Sequence, residues 1–133
     1  MKAFVWTEAF SVGNVLMDTH HRVFFEMVRE FSDWSNMDSG AIQERIKFLV
    51  DYCFMHLGAE ERLMEQAGYP LLESHKAIHC EFIQRVLAIR EAYEKYPVTF
   101  SADEVMKLMQ DWFVNHIMGA DMGYKPYVQK LQG

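Results

Sequence analysis

Four stretches of this sequence place apolar residues at helical three- and four-residue intervals, and all four are broken by histidine or glutamate. The first runs Met17, His21, Phe24, Val28, Phe31. The second runs Ile42, Ile46, Leu49, Cys53, His56, Glu60, Leu63, Ala67. The third is Leu72, His75, His79, Phe82, Val86, Ile89, Tyr93, and the fourth Val105, Met109, Trp112, His116. This spacing sets each series on the one face that a bundle helix buries. A lone histidine on such a face is most often a hydrogen-bonded core side chain. Five histidines and a glutamate across four seams pose a different problem. Each unpartnered buried polar group costs on the order of several kcal/mol, against a total stability of roughly 5–15 kcal/mol. The set needs a common partner, and a metal ion satisfies all of its members together.

The punctuation between the seams gives the fold class. Asp38-Ser39-Gly40 reads as a loop, and Gly68-Tyr69-Pro70 as a turn, with Gly suited to a helix end and Pro to the next start. Pro97 stops the third segment, and Ser101-Ala102-Asp103-Glu104 is a capping box that opens the fourth. Helices are therefore expected near 18–37, 40–67, 71–96 and 102–119. Short links make antiparallel neighbours, so the expectation is all-α: an up-down antiparallel four-helix bundle, with an N-terminal arm and a short C-terminal segment. Repeats and linkers are absent from the sequence, and a single domain over 1–133 is expected.

The spacing inside the seams supports a shared site. His56 and Glu60 are four residues apart, as are His75 and His79. Four residues separate side chains by about 40° around a helix and about 6 Å along it. His116 and Asp121 are five apart, about 140° on a regular helix. Gly119 lies between them, so the helix is expected to end or distort there, with a π-bulge as one way of swinging Asp121 inward. Five imidazoles and two carboxylates are too many for one tetrahedral ion. Two six-coordinate ions fit if both carboxylates bridge. Imidazole with carboxylate suits iron, and leaves zinc, copper and nickel open. The ferritin-like Glu-x-x-His pattern does not occur in the chain.

Composition narrows the rest. A formal charge of −6 carries no nucleic-acid footprint. No apolar run is long enough to span a membrane, and the N-terminus lacks a leader pattern, so a cytoplasmic protein is expected; a monomer is expected too, though nothing in the sequence fixes oligomeric state. Cys53 and Cys80 read as small core residues, and the ten methionines as gap-filling core.

Asp18-x-x-His21, His56-x-x-x-Glu60, His75-x-x-x-His79 and His116-x-x-x-x-Asp121 together resemble the hemerythrin ligand set, in order. The resemblance covers almost the whole chain, from Trp6 onward, and is to single-domain bacterial hemerythrins. It implies a non-heme di-iron centre that binds O₂ reversibly, with His75, His79 and His116 on one iron and His21 and His56 on the other. It further implies that Glu60 and Asp121 bridge the irons with an oxo or hydroxo group, and that the two-histidine iron takes O₂. His20 departs from the family, which commonly has a polar non-histidine there. It lies about 100° from His21 and is read as a surface or rim side chain, ahead of the alternative that it supports a ligand.

Phe24, Leu57, Trp112, Phe113 and Ile117 fall beside or within a turn of these histidines and are expected to form an apolar O₂ pocket. Tyr52 and Cys53 are the exceptions, as groups able to supply a proton or an electron. The expected function is an O₂ carrier, store or delivery protein, and not an enzyme, with an O₂-consuming enzyme as a candidate recipient. The alternatives are O₂ or redox sensing through a partner, and a di-iron peroxidase or oxidase acting on peroxide or nitric oxide.

Overall fold

A computed structural model describes residues 5–30, 38–98 and 100–131. Its elements are α1 (Val15–Glu30), α2 (Ser39–Ala67), α3 (Leu72–Lys95), α4 (Ala102–His116), a π-helical turn (Ile117–Asp121) and α5 (Met122–Gln129), preceded by a 3₁₀ turn at Glu8–Phe10. The four long helices form the expected bundle, and there is no strand among the described residues. Phe31, placed on the first seam, and the expected helical stretch 31–37 lie outside the described residues. No helix is long and apolar enough to cross a membrane.

The helix ends follow local chemistry. Gly68 caps α2 in the left-handed region at φ 68°, and its N–H donates to the carbonyls of Met64 and Glu65. The Ser101 hydroxyl accepts from Glu104 N at 3.2 Å, as the capping box requires. Two starts differ from expectation. Asp38 is not in a loop: its carboxylate accepts from Ala41 N at 2.8 Å, so it is the N-cap of α2 and Ser39 already belongs to the helix. Helix α1 begins at Val15, three residues early, because the Asn14 side chain accepts from Met17 N at 3.0 Å. Asn and Asp both compete as turn and cap residues, and single-sequence patterns do not separate the two roles.

The seams are buried. Met17, Phe24 and Val28 of α1, Ile46, Leu49 and Cys53 of α2, Phe82 and Val86 of α3, and Val105 and Met109 of α4 all lie in the core. Each fully buried large apolar side chain stabilises the fold by about 1.5–3 kcal/mol. Trp112 is only half-buried, and Cys80 is exposed rather than core; both cysteines are free. Helices α2 and α3 pack most extensively, and α5 folds back on α2. The apolar residues form two clusters. The larger fills the bundle, and a smaller one of Val12, Met17, Met64, Tyr69, Tyr124 and Val128 closes the end where α5 lies.

Candidate metal centre

Seven polar side chains meet between these clusters: His21 from α1, His56 and Glu60 from α2, His75 and His79 from α3, His116 from α4 and Asp121 from the π turn. None is more than 6% exposed. The π turn brings the last of them in. One wide i→i+5 turn brings a residue five positions on back to the same face, so Asp121 lies beside His116, with Oδ1 2.9 Å from its Nε2.

The cluster has two halves. Glu60, His75, His79, His116 and Asp121 form one group able to hold a metal ion, and His21, His56 and Glu60 form another. The carboxylate oxygens divide between them. Glu60 Oε1 lies 3.1 Å from His75 Nε2 and 3.0 Å from His79 Nε2, while Oε2 lies 3.7 Å from the Nε2 atoms of both His21 and His56. Asp121 Oδ1 lies 3.0 Å from His75 Nε2, and Oδ2 lies 3.5 Å from His21 Nε2. Each carboxylate therefore presents one oxygen to each half.

These distances fit metal coordination better than hydrogen bonding. His75 and His79 Nε2 lie 3.2 and 3.1 Å from His116 Nε2. Adjacent ligands of a six-coordinate ion with bonds of about 2.1 Å are about 3.0 Å apart. Both ring nitrogens of His21 and both oxygens of Asp121 are buried without a hydrogen-bond partner among the described residues, although other donors lie near. Lone pairs aimed at a common point instead of at each other produce this pattern, and the donor chemistry, imidazole with carboxylate, suits iron.

The electrostatics point the same way. Burial opposes charge on Glu60, but the imidazoles of His116, His21, His75 and His79 gathered around it hold its carboxyl well below the usual range. Burial would also lower His116, yet Asp121 and Glu60 raise it to about 9, and His75 rises for the same reasons. This half attracts positive charge. His56 is pushed down to about 3 by burial, so it stays neutral, the form in which imidazole binds metal.

The sequence over residues 12–128 matches the family model described as the hemerythrin HHE cation binding domain. The chain belongs to the hemerythrin family. It is 34% identical over 130 residues to the bacteriohemerythrin of Stenotrophomonas maltophilia, spanning 97% of this chain and 84% of that one. Against the bacteriohemerythrin of Pseudomonas aeruginosa it is 37% identical, over 93% of this chain and 80% of the other. It is 33% identical to the myohemerythrin of Theromyzon tessulatum, over 92% and 91%. Its fold superposes on a crystal structure of wild-type hemerythrin with a TM-score of 0.87 at 27% identity, covering 94% of this chain and 97% of that one. The chain is thus a hemerythrin-type iron protein, with a histidine–carboxylate cluster able to hold metal.

Outside the seven, the cluster is buttressed by residues that the seams do not show. His79 Nδ1 lies 3.0 Å from Glu61 Oε2, so it donates outward and frees Nε2 for the cluster. The Tyr124 hydroxyl donates to Glu60 Oε2 at 2.9 Å. His20 is half-buried at the rim, and its Nδ1 also sits 2.9 Å from His56 Nδ1. Asp18 accepts from Ser11 Oγ at 2.6 Å and Val12 N at 2.9 Å, tying the N-terminal arm to α1. A weak signal existed for Tyr124, which follows Asp121 by three residues and so shares its helix face. Glu61 gave none, since its partner His79 lies on another helix, and His20 is legible in the sequence only as the lesser of two readings.

The expected pocket residues fall on both sides. Phe113 lies against His21 and His56, with ring centroids 6.3 and 6.1 Å away, and stacks on Phe24 at 3.5 Å. Leu57 and Ile117 are buried in the same core. Trp112 is on the other side, stacked on His116 at 4.3 Å and on Phe82 at 3.6 Å.

Proposed function

We propose that this chain, acting as one domain, binds O₂ reversibly at a non-heme di-iron centre and serves as an oxygen carrier, store or delivery protein. The observation that carries this reading is the division of the Glu60 and Asp121 oxygens between two histidine groups, the arrangement that a bridged metal pair needs. His75, His79 and His116 would hold one iron, His21 and His56 the other, and both carboxylates would bridge. When bound, the iron pair supplies electrons that O₂ takes up and returns.

The chain's own residues favour return over reaction. Phe113 lies against His21 and His56 and stacks on Phe24; Leu57 and Ile117 belong to the same core; and none of these four side chains, at most 1% exposed, carries a hydrogen-bond donor. The two candidate donors are both engaged or inert. The Tyr52 hydroxyl donates to the His20 backbone carbonyl, and burial, chiefly, raises its pKa. Burial pushes the Cys53 thiol up to about 12, so it stays protonated. Both observations support a carrier over a peroxidase or oxidase. The deciding experiment is iron analysis with ultraviolet–visible spectra over repeated oxygenation and deoxygenation. About two irons per chain and full spectral reversal are expected. A single zinc, or irreversible oxidation in the first cycle, overturns the reading.

A further inference from the structure

The two histidines with outer partners are held differently. Glu61 can only accept, so it fixes the hydrogen of His79 on Nδ1. His56 instead meets another imidazole: the Nδ1 atoms of His20 and His56 are 2.9 Å apart, with ring centroids 5.1 Å apart at 72°. One of these two nitrogens must carry the shared hydrogen. If it is His56, the His56 Nε2 lone pair faces the cluster, on the side of Glu60 Oε2. If it is His20, His56 carries its hydrogen on Nε2, against the cluster.

The rest of the setting makes His20 the deciding group. Tyr52 stacks on His56 at 5.6 Å and 19°, which fixes the plane of the ring but bonds neither nitrogen. The Tyr52 hydroxyl also donates to the His20 backbone carbonyl, which holds His20 in place. His21, the other histidine of this half, has no hydrogen bond at either ring nitrogen. His20 is therefore the one outer hydrogen-bond partner that a histidine of this half finds among the described residues.

Taking the di-iron reading as its basis, we propose that His20 is a positioning residue. It accepts the Nδ1 hydrogen of His56, turns the His56 Nε2 lone pair into the cluster, and so sets how firmly the two-histidine half keeps its metal. Partners in this position are worth about 10–100-fold in metal affinity.

The test uses the full chain loaded with zinc(II) as a diamagnetic probe, and separately with iron(II), in wild type, His20→Leu and His20→Gln. Release to a chelator is followed with circular dichroism as the check on folding. Glu61→Leu reports on the other half. His20→Leu is expected to speed one release phase by about 10–100-fold and leave the other unchanged, and His20→Gln, which keeps an acceptor, to restore it. Unchanged release in His20→Leu overturns the proposal, as does equal acceleration in both variants. Long-range ¹H–¹⁵N NMR of the zinc-loaded wild type needs no variant. A hydrogen on His56 Nδ1 is expected, and a bare Nδ1 overturns the assignment. Reversible oxygenation with His20-independent release would retain the carrier reading and discard this one. A His20-dependent phase without any oxygen complex would do the reverse. A wild type that binds neither metal discards both.

Discussion

Glu60 is the residue on which the most contacts converge. It faces His75 and His79 with one oxygen and His21, His56 and the Tyr124 hydroxyl with the other. Glu60→Ala removes the anion shared by the two halves and leaves buried imidazoles facing one another. Loss of one or both metals and a large fall in melting temperature are expected, by elemental analysis and calorimetry. Two retained irons with normal oxygen binding would mean that the bridge is assigned to the wrong residue. Ile117 tests the pocket apart from the metal. It is fully buried and adjoins His116 without being a ligand. Ile117→Thr adds a hydroxyl able to donate a hydrogen bond or recruit water. Normal iron loading with several-fold faster decay of the oxygenated form is expected, the ratio growing at lower pH. Stopped-flow traces that coincide at every pH would show that Ile117 only packs the bundle. At this scale the sequence was most legible where partners share a helix. His56 with Glu60 and His75 with His79 follow from spacing alone. The angular argument that took His20 off its own seam was sound, but it could not reveal that α2 brings His56 to meet it.

Among the elements, the π turn is the one whose geometry the cluster depends on. Five residues from His116 to Asp121 would point apart on a regular helix, and the wide turn corrects this. The misfit between spacing and requirement was visible in the sequence, and so was Gly119 as the place to absorb it. Insertion of one alanine after Gly119 makes the spacing six, about 120° away from His116 on a regular helix. It also turns Tyr124 and Val128, both fully buried, off the core. Loss of metal binding is expected, with helix content largely kept, as read by metal analysis beside circular dichroism. Helix ends were less legible, since Asn14 and Asp38 act as caps where the pattern also suits a turn. Gly68 was legible for a physical reason: its positive φ is one that side chains resist. A Cβ there would meet nothing within 4 Å, so Gly68→Ala carries only the backbone cost, about 1–2 kcal/mol. Chemical denaturation with an unchanged m-value measures it.

For the whole molecule, the cluster lies between two apolar regions and draws ligands from every long helix. A metal bound only by the folded chain stabilises it by about 1.4 kcal/mol for each tenfold of concentration over Kd. Stripping the metal under reducing conditions should therefore lower the melting temperature, and reloading should restore it. A melting temperature that ignores metal content would show that the bundle does not depend on the centre. Helix α1 joins this arrangement on unusual terms. Among the described residues, its packing on α2 and α4 is thinner than that between α2 and α3, its one contribution to the cluster is His21, and neither His21 ring nitrogen finds a hydrogen bond. An imidazole left in that condition favours water, and the simplest way for it to reach water is for its helix to lift. The loss of metal should then be felt first as local opening. In amide hydrogen exchange, Val15–Glu30 should lose protection in the stripped protein well before α2 and α3 do, so that the metal serves α1 as a reversible latch.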